Sequence, residues 1–257
     1  MPEVRRGIRP HGHALPIRIL ATALWVLAAG SAVGGPPYTT DDPEPTPAGH
    51  WENRIYFSGV QSPGDTLGQS GFDINYGAAN DLQLTLLAPL DYDHRSHTAI
   101  GSGDVQVAAK YRFIHQSDHT ILPDVSFFPA LILPTQGRAF GPARLGLFLP
   151  LWAQKDFGDW STFGGGGYEI NPGPGNRNFT LTGWAVTRQL TKRLNLGLEV
   201  YHQTPDTIGS KSLTAAAVGA VYQISKHFAV MGSAGPALQQ ARQAGQGVFY
   251  VALQFTN

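Results

Sequence analysis

Residues 164–190 read GGGGYEINPGPGNRNFTLTGWAVTRQL. Four glycines come first, then Pro-Gly-Pro-Gly, then a run of alternating character. Glycine weakens a strand, and proline cannot donate to its ladder. Yet beyond the Pro-Gly tip, Phe179, Leu181 and Ala185 face away from Asn178, Thr180, Thr182 and Trp184. A period of two places successive side chains on opposite faces of a sheet. The stretch therefore predicts two strands joined at a turn-rich tip, with many side chains removed from one wall.

The same period runs through the chain. Trp51, Ile55 and Phe57 alternate with Glu52, Arg54 and Tyr56. Val105, Val107, Ala109, Tyr111 and Phe113 alternate with Asp104, Gln106, Lys110 and Arg112. Phe249, Val251, Leu253 and Phe255 follow the same rule. Such runs argue strands with one apolar face. About twelve are predicted, and no helical segment competes with them after residue 34.

The links decide between a soluble and a membrane sheet. Long links fall at 60–70, 91–101, 135–143, 171–178, 203–211 and 236–246. Tight ones fall at 78–81, 156–159, 188–193 and 225–227, with 115–122 longer than the rule wants. Short turns alternating with long loops are the outer-membrane pattern, the short turns being periplasmic. The outward aromatics also sort by height. Trp51, Tyr76, Phe113, Trp160, Phe228 and Phe255 fall near the turns; Phe57, Phe72, Tyr168, Phe179 and Phe249 fall near the loops. Two girdles match a bilayer with two interfaces. A soluble sandwich or a lipocalin-like barrel gives no reason for such sorting. The predicted fold is all-β, an antiparallel transmembrane β-barrel of about twelve strands.

Composition agrees. The 257 residues hold no cysteine, a formal net charge of +0 and 14% charged residues. That excludes a basic nucleic-acid binder and a charged disordered tail. Residues 1–34 read as a secretory signal: Arg5, Arg6, Arg9 and Arg18, then ILATALWVLAA, then the small residues of GSAVGG. The apolar run is too short for a transmembrane helix. The processed chain is expected to start between residues 33 and 36. Residues 35–50, with TTDDPEP and no periodicity, are expected to form an extended periplasmic lead-in, and 51–257 the barrel. The expected location is the bacterial outer membrane after signal cleavage. The expected partners are outer-membrane lipids and lipopolysaccharide, the barrel-assembly machinery and a small aromatic solute.

If Ile170 pairs with Phe179 and Thr187 with Leu194, Gly165 and Gly197 lie opposite Trp184, all facing the lumen. The glycines then make room for an indole flat against the inner wall. That is a structural use, or a stacking platform for a ligand ring. Tyr201 and Tyr222 add ring faces, and Thr182 and Glu199 can orient a phenolic hydroxyl. Inward charges are nearly balanced: Glu52, Asp73, Asp104, Asp124, Glu169 and Glu199 against Arg54, Lys110, Arg112 and Arg144. They read as ion pairs filling a narrow barrel, or as a constriction. The predicted lining set is Trp184, Tyr201, Tyr222, Glu199, Thr182, Arg54, Glu52 and Arg112. With Trp152, Trp184, Tyr201 and Tyr222 inward, little ion conductance is expected.

Enzyme signals are weak. Glu199 and His202 have metal-motif spacing, but three apart on a strand they face opposite ways and cannot chelate. His202 with Ser210 or Thr207 imitates a hydrolase site without a third group. GGGGYE is followed by no lysine and no helix, so it is not a phosphate loop. TTDDPEP lacks spaced calcium ligands. No catalytic residue, metal or cofactor is expected.

Five blocks carry a family likeness: PPYTTDDPEPTPAGHWE, GSGDVQVAAKYRF, PDVSFFPALILPT, INPGPGNRN and LEVYHQTPDT. In this order they resemble the bacterial outer-membrane family labelled for the meta-pathway of phenol degradation. The likeness spans nearly all of the chain past the signal. It implies an outer-membrane barrel of transporter type and supplies no catalytic residues. Function is read as passive passage of small apolar or aromatic solutes. The alternatives are an outer-membrane lipid hydrolase and a non-conducting structural or adhesive barrel.

Overall fold

The computed structural model describes residues 35–94, 98–117, 120–137, 144–238 and 245–257. The signal expected over 1–34 lies outside the described residues. The first strands are β1 (Trp51–Ser62), β2 (Asp65–Ala79), β3 (Leu82–His94), β4 (Thr98–Ser102) and β5 (Gln106–Ile114). Next come β6 (Asp124–Phe127), β7 (Ala130–Ile132), β8 (Gly146–Phe157), β9 (Trp160–Ile170) and β10 (Phe179–Thr191). The last are β11 (Leu194–Gln203), β12 (Leu213–Gln223), β13 (Phe228–Pro236) and β14 (Gly247–Thr256).

Every ladder is antiparallel, and the sheet closes on itself. β1 pairs with both β2 and β14, and β3 meets β5 on the far side. Two wall positions are each filled by two segments. β4 covers the loop end of β3 and β5 its turn end. β6 and β7 share the place between β5 and β8. The fourteen segments thus make a twelve-strand barrel, as the periodicity predicts. Pro129 explains one break, because it has no N–H for the ladder. Its carbonyl instead accepts from Ala109 N at 3.2 Å, and Phe128 N donates to Pro150 O at 3.1 Å.

The outer surface is apolar. Ile55, Phe72, Leu198 and Val218 are all more than half exposed. On a soluble protein such a belt would be an aggregation site; around a closed barrel it is the lipid-facing band. Aromatic pairs mark the turn end: Trp51 and Tyr76 have ring centroids 4.7 Å apart, Phe228 and Phe255 5.4 Å. Height sorting is looser toward the loops, where mid-strand Phe57 stacks on Tyr92 at 4.9 Å. The long link at 115–122 wraps Lys155, whose Nζ donates to Ser117 O at 3.1 Å and to Thr120 O and Leu122 O at 3.3 Å.

One placement departs from expectation. Residues 35–47 do not trail away at the periplasmic end; they fold into the lumen. Tyr38, Thr40, Asp42 and Thr46 are buried. The segment enters beside β2, where Gly49 N donates to Gly77 O at 2.8 Å and Gly77 N to His50 O at 3.0 Å. Its prolines lack N–H groups and cannot build a strand ladder. Wall side chains satisfy the backbone instead. Thr46 N donates to Gln83 Oε1 at 2.8 Å, Thr40 N donates to Glu199 Oε1, and Ser233 Oγ donates to Pro37 O at 2.6 Å. Missing periodicity identifies an irregular segment but not whether water or a barrel surrounds it.

Candidate functional site: a plugged lumen

The inner wall beneath the plug is stripped of side chains. A β-carbon at Gly219 would lie 2.5 Å from Tyr38 Cε1, and one at Gly197 2.5 Å from Tyr38 Oη. One at Gly183 would overlap Thr40 Oγ1. Ala185, Ala215 and Ala217 continue this buried surface of small residues. Tyr38 also meets Phe163, with centroids 6.0 Å apart. The interior glycines of β10, β11 and β12 are therefore space for the plug.

This reverses the polarity of two strands. Leu181, Gly183, Ala185 and Thr187 of β10 face in, while Thr182 and Trp184 are exposed on the outer face. On β12, Ala215, Ala217 and Gly219 face in, and Tyr222 is exposed outside. Assigning the apolar face outward fails here because the inner wall packs an irregular chain instead of water. The registers also differ from expectation. Phe179 pairs with Glu169, and Thr187 with Gly197, so Trp184 lies between Gly164 and Val200. Its indole does rest against a glycine, but on the lipid side: a β-carbon at Gly164 would lie 3.1 Å from Trp184 Cδ1. Trp184, Thr182 and Tyr222 thus leave the lining set.

The inward tryptophan is Trp152 on β8, fully buried and paired in register with Gly165. A β-carbon at Gly165 would lie 3.1 Å from Trp152 Cε3, and one at Gly167 2.7 Å from Phe148 Cε2. The tetraglycine therefore serves both faces of the wall.

Beside the plug remains a cavity of about 570 Å³. Phe128, Phe148, Trp152 and Met231 form its apolar side, while Asn75, Gln83, Thr85 and Gln106 form its neutral polar side. Its lining also carries five carboxylates and two cations, each cation shared by two of the acids. Arg54 donates to Asp73 Oδ2 at 2.9 Å, to Gln254 Oε1 at 2.8 Å and to Glu52. Lys110 Nζ reaches Asp41 Oδ2 at 3.1 Å and Asp42 Oδ1 at 3.7 Å, 4.8 Å from the Phe128 ring centre. Burial pushes the Asp42 carboxyl above its ordinary range, and Lys110 opposes that rise.

Of the predicted lining residues, Glu52 and Arg54 share one knot and Glu199 and Tyr201 lie buried along the plug wall. Arg112 stands apart at the turn end, 2.9 Å from Asp81 Oδ1, which His115 Nε2 also reaches at 2.9 Å. Sequence reasoning missed Phe128, Phe148, Gln83 and the plug acids as parts of one site. The one signal for Lys110 was its inward phase on a regular strand. His202 does not serve Ser210: its Nδ1 bonds Thr214 Oγ1 at 2.7 Å, and Ser210 Oγ donates to Asp206 Oδ1 at 3.2 Å.

Fold and lumen together define the class: a closed twelve-strand antiparallel membrane barrel with an internal N-terminal segment. The model of the family described as "Putative MetA-pathway of phenol degradation" matches residues 47–255, and the chain belongs to that family. Among solved structures, it is similar to an outer membrane channel from Pseudomonas putida F1 at 14% identity and TM-score 0.62. That match covers 84% of this chain and 97% of the other. It is also similar to the KdgM porin, solved in complex with disordered oligogalacturonate, at 13% identity and TM-score 0.54, covering 79% and 98%. These likenesses concern the fold. No curated protein matches the sequence.

Proposed function

We propose that this protein is a passive outer-membrane conduit for small apolar or aromatic solutes. The site is the cavity beside the plug, with Phe128, Phe148 and Trp152 replacing Trp184 as the ring-binding wall. The observation that carries the reading is the chemistry of that cavity. It combines aromatic side chains with uncharged amides and a hydroxyl, while Arg54 and Lys110 each hold two of its five carboxylates. The excess of carboxylates disfavours anionic solutes, whereas an aromatic ring gains about 0.5–1.5 kcal/mol per stacked partner beyond burial. Neutral amides such as Gln106 can receive a phenolic hydroxyl. The family description and the likeness to a Pseudomonas outer membrane channel support this reading. The hydrolase alternative loses support because His202 is committed to Thr214.

The test is uptake of a phenol-like solute into vesicles carrying the refolded barrel. Trp152→Ala with Phe148→Ala should slow uptake severalfold, while Trp184→Ala should leave it unchanged. The reverse pattern would overturn the assignment. Absence of uptake by the wild type would favour the non-conducting barrel, a reading that the filled lumen also accommodates.

A further inference from the structure

We propose that the leader is cut at the Gly34–Gly35 bond and that the new α-ammonium of Gly35 docks inside the barrel as the counter-charge of Asp42. This is independent of what the barrel transports. The reaction is hydrolysis by the leader peptidase of the secretory pathway. The water oxygen joins the Gly34 carbonyl carbon, and both water protons end on the Gly35 nitrogen. A carboxylate leaves with the leader, and an ammonium remains on the mature chain.

Several bonds in GSAVGG satisfy the small-residue rule for such a peptidase, among them those after Ala32 and Gly34. A cut after Ala32 has Gly30 and Ala32 before it; a cut after Gly34 has Ala32 and Gly34. Cutting one residue later would leave the imino nitrogen of Pro36 at the terminus. The lumen separates these choices. Gly35 is buried against the plug acids: a β-carbon there would overlap the Asp42 carboxylate and lie 3.2 Å from Asp41 Oδ1.

The charges point the same way. Asp41 and Asp42 both lean on Lys110, at 3.1 and 3.7 Å. Asp42 is 7% exposed, and its Oδ1 additionally accepts Glu44 N at 2.7 Å. Nearby Glu199 is already engaged by Thr40 N. Asp42 is buried and Asp41 half-buried, and two carboxylates against one ammonium leave an excess negative charge, which is costly away from water. In the uncut chain the Gly35 nitrogen is a neutral amide. Cutting makes it a cation at the position where the cluster lacks one. Burial pushes the Asp42 carboxyl up, Asp41 and Glu44 add to the rise, and Lys110 opposes it.

The experiment uses the full chain, expressed with its leader and purified from outer membranes. Terminal sequencing should give Gly35 as the first residue. The folded barrel is then treated in detergent at neutral pH with an amine-acylating reagent, and the same is done in urea. The Gly35 amine should react at least about tenfold more slowly when folded, the effect of raising its pKa by one unit. Asp42→Asn should bring the folded rate close to the unfolded one, with heat-modifiable migration confirming the barrel. A chain starting at Val33 or any other residue would overturn the proposal. So would equal rates in folded and unfolded wild type, a comparison that stands even if the variant does not fold. An unchanged rate in a folded Asp42→Asn barrel would overturn the pairing.

Discussion

Trp184 and Gly164 face each other across the β9–β10 ladder on the outer surface of the barrel, with the indole laid against the bare glycine. A mid-strand tryptophan in lipid must satisfy its N–H within the protein. Here Nε1 donates to Thr162 Oγ1 at 2.8 Å, and that hydroxyl donates onward to Ala185 O at 3.3 Å. The geometry makes Trp184 a piece of the wall and not of the passage.

Thr162→Val should leave the indole N–H unpaired in hydrocarbon and cost about 1–3 kcal/mol. Reversible urea unfolding in lipid would measure it. Brominated lipids should quench the Trp184 emission strongly, and quenching confined to water-soluble quenchers would return the residue to the lumen.

The plug should depend on the glycine floor. Gly219→Val places atoms where the Tyr38 ring lies. The barrel should still migrate as a folded species, because its ladders do not use that side chain. The plug, however, should lose its seat. Limited proteolysis should then cut between residues 36 and 47 in the variant and spare them in the wild type.

Lys110→Met tests the same segment electrostatically. Removing one partner of a buried pair costs about 3–5 kcal/mol, since Asp41 loses its cation and Asp42 loses one of its neighbours of opposite charge. Most of that cost should appear as undocking of the plug. Ion conductance should rise in the variant, and Lys110→Arg should restore much of the wild-type value.

The barrel was legible in the sequence because alternation is a local property of each strand. The strand count, antiparallel order and apolar outer belt follow from it, as do the inward Glu52, Arg54, Tyr201 and Glu199. What stayed hidden depends on residues far apart in the chain. Gly183 and Gly219 face inward against Thr40 and Tyr38, and Leu181 and Ala215 share those inner faces beside Tyr201. With the plug unseen, apolar inner residues on β10 and β12 look like lipid-facing ones, and Trp184 takes the wrong side. From the sequence alone Gly165 is set against Trp184 in the lumen; Trp184 instead lies over Gly164 on the outer face. The indole against Gly165 is that of Trp152, which lies across the other ladder of β9, on β8.

The central claim is that residues 35–47 fill the lumen. Single-channel conductance in planar bilayers tests it most directly, on the wild type and on a chain with residues 36–46 deleted. The account predicts small or no steps for the wild type and large, stable steps for the deletion, with both proteins heat-modifiable on gels. Large porin-like steps from the wild type, or the same low conductance from a folded deletion, would contradict it.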